Sequence, residues 1–133
     1  MTSSLKRPAA PELQITFLYF HDVPRAQEFY ERVLGARLAI DQGWSKIYVL
    51  AGAAHVGLVD ESRGAKRASV HKPVQLCLRV PDVDAWHAWV DAQNVANLTA
   101  PRDSAQLGIR AFVFDDPEGY QIEIQSVLES TTA

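Results

Sequence analysis

The sequence predicts an α+β domain built from two copies of one unit: a strand, a helix, then three strands. Three observations carry that prediction. A shift of 60 residues lays LQITFLYFHDVPRAQEFYERVLG (13–35) over PVQLCLRVPDVDAWHAWVDAQNV (73–95), with Asp22-Val23 on Asp82-Val83 and Phe29 on Trp89. In each copy the apolar residues pass from a short run to helical spacing and back to short runs. Turn-forming residues then separate those later runs.

The first unit opens with ITFLYF (15–20), rich in β-branched and aromatic residues and ending at a polar turn, which reads as a strand. Val23, Ala26, Phe29, Tyr30, Val33 and Leu34 recur at spacings of three and four, one apolar helix stripe. Asp22 stands where an N-cap is expected and Gly35 where a left-handed C-cap would end the helix. ARLAI, KIYVL and HVGLV follow as short strands, separated by DQGWS and AGA. In the second unit VQLCLRV is the strand, Asp82 the cap, and Val83, Trp86, Trp89 and Val90 the stripe, which places both tryptophans in the core. Three further strands are expected near NLTAP, IRAFVF and YQIEIQS. Asp116-Pro117-Glu118-Gly119 makes a tight hairpin turn before the last of them.

These units set the organisation. Residues 1–12 form a loose arm, 13–61 the first module, 62–72 a polar linker, 73–127 the second module and 128–133 a tail. A four-stranded sheet with one helix leaves its second face bare, so the two sheets must share a surface. A trough between their curved sheets is the natural place for a ligand.

Composition bounds the function. A chain of 133 residues, 47% hydrophobic and 22% charged, fits one globular domain with a real core. A net charge of −3 argues against nucleic acid and against an anionic membrane surface as partners. Cys77, the one cysteine, excludes an internal disulfide and fits a reducing, cytoplasmic setting. No run has the length of a membrane span or the form of a signal peptide.

Three segments carry a family resemblance: DVPRAQEFYERVLG, QLCLRVPDV and FVFDDPEGYQIEI. Together they resemble the vicinal oxygen chelate superfamily, the glyoxalase, bleomycin-resistance and extradiol-dioxygenase group, over residues 13–127. The resemblance implies paired βαβββ modules and a homodimer. It also implies a metal ligand on the first and last strand of each module, which by position falls on Ile15, Gly57, Gln75 and Glu123. Ile15 has no donor atom and Gly57 no side chain, so half of that ligand set is missing. The expected function is therefore a metal-independent small-molecule binder of the resistance-protein type, with no cofactor. Two alternatives stand beside it. One is a lyase, isomerase or dioxygenase using a divalent metal ion; the other is a structural or regulatory domain without a ligand.

Parity along the strands nominates the lining. Glu123 reads as a general base or ligand anchor, or else as a carboxylate satisfied by Gln75 or an arginine. Gln75 either orients a ligand or pairs with Glu123. Phe17 and Tyr19 share the parity of Ile15, so Tyr19, Gln75 and Glu123 are expected to face one cavity. Trp44 suits stacking on a flat ligand, or packs over the helix. His55 shares the parity of Gly57, facing the trough or, as a strand-end residue, the solvent. Arg110 would recognise a carboxylate or phosphate if it faces the trough, and is otherwise a surface arginine. Cys77 reads as a small buried apolar side chain. His21, His71 and His87 receive no role.

Overall fold

The structure, a computed structural model, describes residues 5–129, so part of the expected arm (1–4) and tail (130–133) lies outside the described residues. The first module runs β1 (Gln14–Phe20), α1 (Val23–Leu34), β2 (Arg37–Asp41), β3 (Ser45–Ala51) and β4 (Ala54–Asp60). The second runs β5 (Gln75–Arg79), α2 (Val83–Ala92), β6 (Arg102–Ser104), β7 (Ile109–Asp115) and β8 (Gln121–Val127). Each sheet is mixed. The orders β1-β4-β3-β2 and β5-β8-β7-β6 repeat one topology, with the first strand parallel to the last and the other neighbours antiparallel.

The local signals act as the sequence suggests. Asp22 accepts a hydrogen bond from the Arg25 amide and Asp82 from the Ala85 amide, each closing a helix N-terminus. Gly35 takes the left-handed conformation at φ 65°, where a side chain would be strained. One strand moved. The segment 97–101 was expected as a strand, but β6 is Arg102–Ser104. Asn97 adopts a positive φ of 57°, and the Thr99 hydroxyl, not a backbone carbonyl, accepts from the Val113 amide. The segment runs beside β7 without a regular ladder.

The shared core forms on the helix-bearing sides of the sheets, not by apposition of their second faces. Leu18, Phe20, Val56 and Leu58 of the first sheet join Phe112, Phe114, Ile122 and Ile124 of the second, with Phe29, Tyr30, Val33, Val83 and Val90 of the helices between them. Trp86 is half-buried against this core, and Trp89 departs further from the expected stripe. It is 48% exposed and donates its indole N–H to the Val33 carbonyl at 2.8 Å.

The closing turn of the second module locks onto the first. Glu118 accepts from the His21 and Asp22 amides, both at 2.8 Å. The Tyr120 hydroxyl donates to the Tyr19 carbonyl and accepts from the Tyr19 amide, both at 3.0 Å. Buried Asp116 accepts from the Tyr30 hydroxyl at 2.9 Å and from the Glu118 and Tyr120 amides. Among the described residues no helix is long and apolar enough to cross a membrane.

Candidate functional site

With the helices on one side, each sheet keeps one face free of them, and the strand registers say which residues lie there. Phe17 pairs with Gly57 and Gly57 with Ile47, so Ile15, Phe17, Tyr19, His55, Gly57 and Val59 share the free face of the first sheet. Cys77 pairs with Glu123 and Glu123 with Val113, so Gln75, Cys77, Arg79, Glu123 and Gln125 share that of the second.

The first free face is largely filled by its own chain. The Phe17 ring, 44% exposed, lies across Gly57 so closely that a Cβ there would sit 2.4 Å from its Cδ1. Further along, Gly64 of the linker meets Tyr19 and Val59, and a Cβ on it would come within 2.9 and 2.6 Å of them. The polar linker thus folds back on the sheet. His55 is buried, not solvent-facing, and its Nδ1 is 2.8 Å from the Ala53 carbonyl. Trp44 precedes β3 and is 43% exposed.

Gly57→Ala is expected to force the Phe17 ring off its seat and cost about 1–2 kcal/mol, the usual penalty of overpacking. Thermal melts of Gly57→Ala, Phe17→Ala and the double variant check this. The ring contact is the cause only if the alanine at 57 costs less once Phe17 is gone.

The second free face is open and polar. Arg79 donates twice to the Gln125 side chain, whose Nε2 donates to Glu123 at 2.7 Å; the Cys77 thiol donates to the same Glu123 oxygen at 3.2 Å. Cys77 is thus exposed, not buried. Desolvation of the partly covered sulfur first, then the Glu123 hydrogen bond, push its thiol up to about 11, which keeps it protonated and a poor nucleophile. Gln75 does not pair with Glu123. It donates to Gln121 at 2.6 Å, as the register Gln75↔Gln121 requires.

Beside Glu123 the sheet carries a cavity of about 380 Å³, lined chiefly by Thr99, Arg102, Leu107, Ile109, Ala111 and Val113. Neither Tyr19 nor Gln75 lines it, so the three residues expected together are not brought to one cavity; Glu123 alone reaches it. Arg110 lies on the opposite face. It binds Asp84 of α2 and Asp103 of β6, at 3.0 and 2.9 Å, and is a structural link between helix and sheet edge. Arg102, Leu107 and Thr99 went unnoticed in the sequence because they fall in the irregular stretch around β6, where parity gives no signal.

The metal that the family fold implies does not fit these residues. Ile15 offers no donor, Gly57 lies beneath the Phe17 ring, and Gln75 is engaged with Gln121. Among the described residues no three His, Cys, Asp or Glu side chains gather where a metal ion could be held. No metal-dependent step is derived from this donor set.

A sequence profile of the Glyoxalase/Bleomycin resistance protein/Dioxygenase superfamily matches residues 13–124. The chain belongs to this superfamily. Solved structures of similar fold include TioX from Micromonospora sp. ML1, at 21% identity and TM-score 0.71, covering 89% of this chain and 100% of that one. TnmS3, an antibiotic binding protein from Streptomyces sp. CB03234, is similar at 24% identity and TM-score 0.71, covering 91% and 99%. Lactoylglutathione lyase from Agrobacterium tumefaciens is similar at 21% identity and TM-score 0.70, covering 90% and 95%. At these identities the likeness concerns the fold, which an antibiotic binding protein and a lyase share. Among curated proteins no sequence relative matches.

Proposed function

We propose that this protein is a metal-independent small-molecule binder of the glyoxalase/bleomycin-resistance type. One observation carries the reading: a largely apolar cavity that Glu123 lines from the open sheet face, its other carboxylate, Asp103, being paired with Arg110, and with no metal-ligand set among the described residues. A pocket of that kind suits an apolar body with one hydrogen-bond donor, an amine or a hydroxyl. The similarity to an antibiotic binding protein supports the same class of occupant. The exposed thiol of Cys77 is compatible with a reducing compartment. A homodimer belongs to the proposal, because exposed Phe17 and Trp44 leave apolar area that a second copy can cover.

The test uses 4-phenylbenzylamine as probe, titrated by calorimetry in the presence of EDTA. Binding is expected with the chelator present, and the purified protein is expected to hold well under one equivalent of zinc, nickel, iron or manganese. Glu123→Gln keeps the size and removes the charge, and should weaken binding by about 1–3 kcal/mol. Stoichiometric metal that is lost on Glu123→Ala would overturn metal independence.

A further inference from the structure

The cavity holds a second charge that the carboxylate alone does not explain. Arg102 sits on β6 opposite Ala111, and Ala111 opposite Gln125, so its side chain lies on the free face with Glu123. It lines the same cavity. Its neighbour Asp103 also borders the cavity, but its carboxylate is paired with Arg110 at 2.9 Å. Among the described residues the Arg102 side chain makes no hydrogen bond or ion pair. The cavity therefore has a free guanidinium at its edge, a carboxylate on its floor and an apolar floor of Ile109, Ala111 and Val113 between them.

We infer that Arg102 and Glu123 select an amphoteric ligand, an apolar body carrying an acid at one end and an amine or hydroxyl donor at the other. This rests on the small-molecule reading above and names the class of molecule. The spacing narrows it. The two residues stand two strands apart, about 10 Å, and one pleat repeat apart along the strands, about 7 Å. With their backbones that far apart, the two side chains approach a ligand from different sides of the cavity. A molecule with its two polar ends on opposite sides of a ring system can meet both. The guanidinium fork favours a carboxylate or phosphate over a neutral carbonyl at that end.

The experiment compares three probes by titration calorimetry: 4-phenylbenzylamine, 4′-(aminomethyl)biphenyl-4-carboxylic acid and the methyl ester of that acid. The wild-type protein should bind the free acid about tenfold or more tightly than the ester or the unsubstituted amine. Arg102→Gln should abolish that preference, bringing the free acid down to the affinity of the ester, with the melting temperature unchanged. Glu123→Gln should weaken all three probes. Equal binding of acid and ester, or a preference that survives Arg102→Gln, overturns the role of Arg102 and leaves the small-molecule reading standing. Failure of all three probes to bind counts against both.

Discussion

A fragment ending at residue 66 and a fragment beginning at residue 67 should each fail to give a cooperative melt, and should recover one on co-expression. The reason lies in where the core is shared. Phe29 of α1 meets Phe114 of β7 with ring centroids 6.3 Å apart, and Phe20 of β1 meets Tyr120 at 5.2 Å. Separation would expose these rings together with Tyr30 and Val33, at a cost of about 2 kcal/mol for each large side chain returned to water. It would also strand the Tyr30 hydroxyl, the Asp116 carboxyl and the Val33 carbonyl that Trp89 caps. Losses of that size exceed the whole stability of a half-sized unit. Circular dichroism melts of each fragment and of the co-expressed pair check it. A sharp monomeric transition from either fragment would mean that the contact between halves is incidental.

Much of the fold was legible because it is written locally. Asp22, Asp82 and Gly35 are caps whose partners lie within a turn of them, and the 60-residue repeat reports the paired topology directly. Parity was legible too, but parity does not name a face. Arg110 does share the side of Phe112 and Phe114; that side faces the helices. Both faces of β7 carry apolar residues, so alternation alone could not tell the free face from the packed one. Cys77 shows the same ambiguity in reverse. Read as one apolar residue it belongs inside, yet its parity neighbours Gln75 and Arg79 mark the open face.

What stayed hidden is long-range. Glu118 looked like one residue of a hairpin turn, because its partners His21 and Asp22 stand almost the whole chain away. The approach of Gly64 to Tyr19 and Val59 was invisible in a linker read only as polar. The cavity itself depends on the path of residues 99–107 beside β7, where one threonine hydroxyl replaces a ladder bond. Glu123 could be named from the sequence as a candidate; Arg102, which lines the same cavity, could not, because β6 began where the pattern gave no strand.

Asp116→Ala is expected to be the most damaging single substitution in the second module, costing about 3–5 kcal/mol. The carboxyl is 2% exposed and receives three donors: the Tyr30 hydroxyl from the other half, and the Glu118 and Tyr120 amides of its own turn. Alanine leaves the three donors, two of them fully buried, without this acceptor and releases the turn that presents Glu118 and Tyr120 to β1. The melting temperature should fall by roughly 10–15 °C for a domain of this size. Asp116→Asn keeps the carbonyl oxygen that the two amides share and should cost far less. The pH dependence follows from burial, which, against the hydrogen bonds, holds the Asp116 carboxyl above its ordinary range. A folded-state pKa raised in this way means that the native protein takes up the proton before the unfolded chain does. The stability contributed by this group is therefore fully present below the unfolded value of about 4 and is lost as pH rises through the folded one. The gap between wild type and Asp116→Ala should accordingly be wider near pH 4.5 than near pH 8. Denaturant titrations of both proteins at the two values measure it. A loss under about 1 kcal/mol at either pH would show that the turn is held by Glu118 and Tyr120 alone, and that the buried carboxyl is not what joins the halves.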